Sequence, residues 1–249
     1  MTAYYNTFAF GELRRWQEEM QQSPTFLNAV ARKLQYKINS YIPDRIHAAI
    51  TATIKQMTRA MLFGAGIVTT KPLEGLNLQQ RELMVLERIK FYQNAAAAEG
   101  GVTGAGGILL GLADFPLLLS LKLKLLFEIS ALYGYDAFDY RERVYLLHIF
   151  QLAFSSHEHR RDVYLQMADW ETQKLHLPED INEFNWRAFQ QEYRDYIDLA
   201  KMAQMIPIIG APVGAVVNYR LIKKLGTTAM NAYRMRWKEQ QLLNASPQH

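Results

Sequence analysis

EGGVTGAGGILLGLADFPLLLSLKLKLLFEISALYG, residues 99–134, is the stretch on which the fold turns. No charge falls between Glu99 and Asp114, and six of the intervening positions are glycine: Gly100, Gly101, Gly104, Gly106, Gly107 and Gly111. A glycine inside a helix costs about 1 kcal/mol relative to alanine. Six together need a physical reason. Small residues four apart let two helices approach closely, and Gly100 with Gly104, and Gly107 with Gly111, have that spacing. A turn is the second reading. A ligand cradle is the third, although no GxxxxGK[ST] pattern is present and no strand precedes the segment.

Downstream, Asp114 reads as a helix N-cap, with Pro116 in the first turn, where its missing N–H costs nothing. Leu118, Leu121, Leu125, Ile129 and Leu132 then form a stripe at helical spacing. Lys122 lies at the edge of that stripe, where a long stem can snorkel. Gly134 suits the position just past the helix end.

Working outward, residues 11–22, 26–38, 46–61 and 78–98 read as helices before the glycine cluster. Residues 144–154, 160–175 and 184–200 read as helices after it. Breaks fall at Ser23-Pro24, Ile42-Pro43, Lys71-Pro72 and Leu177-Pro178. No stretch alternates with period two, so the expected fold is all-α: a multi-helix bundle with two glycine-rich apolar helical segments. One domain is expected over 1–249, with N-terminal helices at 1–75 and a glycine-rich core at 76–135. C-terminal helices follow at 136–238, then a tail at 239–249.

The second apolar segment, Met202–Tyr219, contains Gly210 and Gly214 and carries no charge. Its eighteen residues reach the lower edge of spanning length, but two prolines and two glycines argue for a broken, buried or shallowly inserted helix. Behind it stand Arg220, Lys223, Lys224, Arg234, Arg236 and Lys238. The last five read as a basic face toward an anionic leaflet, with a solvated surface as the competing reading.

These features resemble the EcsC family. The resemblance is carried by Glu99-Gly100, the glycine cluster, Ala113-Asp114-Phe115-Pro116 and Leu132-Tyr133-Gly134-Tyr135-Asp136. A second piece comprises Ile206-Pro207-Ile208-Ile209-Gly210-Ala211, Gly214, Asn218, Leu225-Gly226 and Ala229. That piece is also similar to a GTPase-linked membrane module of unknown function. The resemblance spans roughly residues 20–238. It implies a bacterial protein linked to a transporter, and no defined reaction.

Composition narrows the rest. With 49% hydrophobic and 21% charged residues the balance is that of an ordinary globular chain. Cysteine is absent, which removes disulfide and thiol chemistry. The net charge of +4 permits an anionic partner without requiring one. The N-terminus lacks the basic and apolar regions of a signal peptide.

Chemistry-bearing patterns are few. His157 and His159 stand two apart and diverge on a helix, so no metal site is expected. Glu99 and Asp114 flank the glycines and could form an acid–base pair with Lys122 nearby. A structural pairing of Asp114 with Lys122, Asn218 or Arg220 is the favoured reading. The expectation is therefore a protein with no catalytic residues, no cofactor and no nucleic-acid partner. It would lie on the cytoplasmic side, peripheral to or partly inserted in the inner membrane, with a transporter or GTPase as a possible partner. The alternatives are a hydrolase-like enzyme centred on Glu99, Asp114 and Lys122, and a soluble adaptor of a transporter or GTPase.

Overall fold

The computed structural model describes residues 2–22, 44–63, 71–105, 107–155, 159–189, 191 and 211–245. They form α1 (Thr2–Gln21), α2 (Asp44–Phe63), α3 (Leu78–Ala105), α4 (Gly107–Leu132), α5 (Tyr140–Phe154), α6 (Arg160–Ala168), α7 (Trp170–Gln173) and α8 (Ala211–Ala245). Two short 3₁₀ turns, Lys174–His176 and Ile181–Glu183, join them. The described residues contain no β-strand, as the sequence leads one to expect.

The axis of the fold is the antiparallel pair α3 and α8. Gly100 meets Gly214 at one end, Ile89 meets Gly226 in the middle, and Glu82 meets Arg234 at the other end. A Cβ on Gly100 would sit 2.8 Å from the Gly214 carbonyl oxygen, and one on Gly226 would sit 2.5 Å from Ile89 Cγ1. Gly100 thus lets the two backbones approach, and Gly226 makes room for the Ile89 side chain. Gly100 and Gly214 pack directly against each other at this crossing. Gly104 lies in the last turn of α3, Gly107 begins α4 and Gly111 lies one turn further on. Gly106 and Gly210 lie outside the described residues.

Helix α3 opens with a reciprocal cap: Asn77 Oδ1 accepts from the Gln80 N–H, and the Asn77 N–H donates to Gln80 Oε1, both at 3.0 Å. Helix α4 folds back along α3. It closes at Gly134, whose φ of +88° suits glycine alone among common residues. There the Tyr135 N–H reaches Ser130 O and the Gly134 N–H reaches Ala131 O, the paired bonds of a Schellman ending.

Three boundaries differ from expectation. Asp114 does not cap a helix start, because α4 begins at Gly107 and runs through Pro116. A mid-helix proline costs about 3 kcal/mol. Burial of Phe115, Leu118 and Leu119 beside it offsets that cost. The tail expected from residue 239 is helical as far as Ala245. Helix α1 also starts earlier than expected, at Thr2, because Ala9, Leu13 and Met20 bury one face of it. The helix expected over 26–38 lies outside the described residues.

Candidate functional site

Two polar regions stand out, one inside the bundle and one on its surface. The inner one begins at Glu82, whose side chain is fully buried on α3. Arg234 of α8 grips it with both arms, Nε to Oε1 at 2.7 Å and Nη2 to Oε2 at 2.6 Å. The Tyr5 and Tyr133 hydroxyls donate to the same carboxylate, at 2.6 and 3.0 Å. Arg234 Nη1 reaches Glu12 and Asn231. Burial opposes the charge on Arg234, but the hydrogen bond and charge of Glu82 hold its pKa above the usual arginine value.

The Tyr133 ring stacks on Tyr233, 5.1 Å between centroids, and Tyr233 leads into a second cluster. Its hydroxyl donates to Glu142 Oε1 at 2.5 Å. Arg236 Nη1 donates to Glu142 Oε2 at 2.7 Å, and its Nε to Glu171 Oε1 at 2.9 Å. The Arg236 guanidinium lies 3.7 Å above the Tyr135 ring. Burial again works against the charge, and Glu142 with the surrounding tyrosines outweighs it. Glu82, Glu142, Arg234 and Arg236 all meet an opposite charge, so the arrangement locks helices together.

That corrects the surface reading of Arg234 and Arg236. They are 5% and 4% exposed and unavailable to a leaflet. Arginine was chosen by the carboxylates it forks onto, not by solvent. Lys238 is exposed, with its ammonium 5.9 Å from the Phe10 ring. Arg220, Lys223 and Lys224 are exposed on α8, as a surface role requires.

Of the polar centre expected around the glycines, Lys122 and Asn218 come together. Lys122 Nζ donates to Asn218 Oδ1 at 3.4 Å and to Leu118 O at 3.3 Å. The side chain does not snorkel; it is fully buried. Burial pushes its amine down to about 7, and no carboxylate bonds to it among the described residues. Asn218 Nδ2 also caps the Gly214 carbonyl at 3.2 Å, so Lys122 sits against the Gly100–Gly214 crossing. Glu99 is half-buried near the end of α3, and Arg220 is exposed and turned away from this centre into a surface cleft. The Asp114 side chain lies outside the described residues.

The surface region is that cleft, about 410 Å³, between α1, the end of α5, α6 and α8. Arg160, Arg220, Lys223 and Lys224 line it, with Trp16, Met20 and Leu152 as its apolar wall. The single carboxylate among the described residues of its lining is Glu19, 3.6 Å from Arg160 Nη1. Sequence reasoning found three of the four cations and missed Arg160, whose place depends on how α6 returns past α1.

Comparison with known proteins follows the same outline. The profile of the EcsC protein family matches residues 8–237. The chain is 41% identical over 232 residues to Protein EcsC of Bacillus subtilis (strain 168), covering 93% of this chain and 95% of that one. It is 24% identical over 245 residues to the uncharacterized protein YdbA of the same organism, covering 90% of each. No solved structure matches significantly.

Proposed function

This chain belongs to the EcsC protein family, and on that premise we propose that it is a non-catalytic helical protein that docks on an anionic membrane surface. The docking is peripheral and cytoplasmic. No helix among the described residues is long and apolar enough to cross a membrane. The observation that supports the reading is the outer face of α8. Val216 and Tyr219 are 49% and 40% exposed, and Arg220, Lys223 and Lys224 follow on the same face, one to two turns on. Apolar groups leading into cations suit the boundary between acyl chains and anionic headgroups. Each near-surface cation contributes about 1 kcal/mol there.

Flotation with protein-free vesicles tests this reading. The parent should float with phosphatidylglycerol vesicles and not with phosphatidylcholine vesicles, and Lys223→Gln/Lys224→Gln should float less. The difference should shrink as salt rises, because the Debye length is about 10 Å at 0.1 M and shorter above it. A parent that ignores anionic vesicles would instead favour the alternative of a soluble adaptor with a transporter or GTPase partner.

A further inference from the structure

We infer that the cleft between α1, α5, α6 and α8 is a binding site for a phosphate monoester. Among the described residues that line it, four are cations and one is a carboxylate, so the cleft gathers positive charge that a dianion would neutralise. The cations come from two elements. Arg220, Lys223 and Lys224 stand on consecutive turns of α8, and Arg160 opposes them from the first turn of α6. Two walls of opposed donors suit a tetrahedral group better than a flat surface does.

Arg160 is the fixed member. Its side chain is 17% exposed, it lies against α1 through a bond from Nη2 to the Glu19 carbonyl at 3.2 Å, and its Nε has no hydrogen-bond partner among the described residues. Its ion pair with Glu19 is long at 3.6 Å, and the Glu19 side chain is 60% exposed. Such a pair is worth little, and a phosphate can take the place of the carboxylate. Trp16 closes one side with an apolar wall suited to the organic part of an ester. At about 410 Å³ the cleft has room for a phosphate with a glycerol-sized substituent and not for a whole lipid.

The inference deepens the membrane reading, since Arg220, Lys223 and Lys224 belong to the same face of α8, but it can stand or fall separately. The probe is sn-glycerol 3-phosphate, titrated calorimetrically into the full chain at low salt, with dimethyl phosphate as the diester control. Saturable binding of the monoester, tighter than of the diester, is expected. Lys223→Gln/Lys224→Gln should weaken it about tenfold or more, and Glu19→Gln should tighten it about twofold to fivefold. The opposite signs separate a binding effect from a loss of fold. Vesicles of phosphatidic acid and of phosphatidylglycerol, matched in charge, identify the source: a preference for phosphatidic acid points to a lipid headgroup, and its absence to a soluble ester. No saturable binding of glycerol 3-phosphate, equal binding of the diester, or variants that bind like the parent would each overturn the inference. If vesicles then still bind, the membrane reading survives without the cleft. If the monoester binds and no vesicle does, the cleft survives without the membrane.

Discussion

The two halves of α8 carry similar numbers of cations and put them to opposite uses. From Gly214 to Thr227 the helix is two-faced. Gly214, Asn218, Ile222 and Leu225 are buried, while Val216, Tyr219, Arg220, Lys223 and Lys224 are exposed. From Thr228 to Arg236 every residue is buried, and the two arginines are held by carboxylates from α1, α3, α5 and α7. A charge count along the helix cannot distinguish these halves. What does is the company each cation keeps. Arg220, Lys223 and Lys224 stand where stems need only reach water, and Arg234 and Arg236 where a planar fork can meet two acids.

The sharpest way to break that contrast is Arg236→Gln. It strands Glu142 without its main counter-charge, and removal of one partner from a buried pair costs about 3–5 kcal/mol. The measurement is chemical denaturation alongside Lys223→Gln, which should fall within about 0.5 kcal/mol of the parent. Equal stabilities for the two variants would mean that the C-terminal half is not the core it is described to be.

Lys122 offers a smaller effect, read through pH. Its amine falls from an ordinary value of 10.5 to about 7 on burial. Between those values the unfolded chain holds a proton that the folded chain does not, so stability rises with pH through the window, and the full penalty applies below about 7. The slope approaches about 1.4 kcal/mol per pH unit. Burial raises Tyr133, Tyr145 and Tyr233 well above 10.0, which reverses the trend once unfolded tyrosines ionise near pH 10. Denaturation midpoints at pH 6, 7, 8 and 9 should climb above 7, and Lys122→Met should flatten the climb while stabilising at pH 7. A parent profile that is flat from 7 to 9 would mean Lys122 stays charged in the fold.

Much of this was legible in the sequence, for reasons that are local. The helical class followed from spacing alone. Gly134 was readable as a helix ending because few residues other than glycine take its φ. The spacing of Gly100 and Gly104 pointed to a close helix contact, but not to Gly214 as the partner. What was not legible depended on the partner helix. Glu82 and Glu142 look like ordinary surface acids in their own helices, and nothing nearby in sequence announces Arg234, 152 residues on from Glu82. Lys122 was read as a snorkelling side chain because its own stripe allows it; only the arrival of Asn218 from α8 encloses it. Asp114 was misread for the converse reason. A local cap signal was overridden by burial on both sides of Pro116. The Asn77–Gln80 cap, by contrast, was visible in the sequence and could have fixed the start of α3.

The contact between the N-terminal half of α8 and α3 can be tested with two neighbouring glycines. In a helix, Gly→Ala ordinarily stabilises by up to about 1 kcal/mol. At Gly100 the new methyl would lie 2.8 Å from Gly214 O and 2.9 Å from Asn218 Nδ2. The closer of these atoms is backbone and cannot rotate aside, so the helices must separate. Overpacking of this kind costs about 1–3 kcal/mol, enough to exceed the propensity gain, and Gly100→Ala should melt below the parent. At Gly101 the nearest atom is Ala215 Cβ at 4.0 Å, an ordinary contact. Gly101→Ala should therefore keep the propensity gain and melt at or slightly above the parent. The two variants differ by one position and by a single methyl placed on different sides of α3. Thermal unfolding in one buffer compares them directly. If both alanines stabilise, the helices do not cross at Gly100. If both destabilise, α8 approaches α3 across a broader face than the Gly100–Gly214 contact alone.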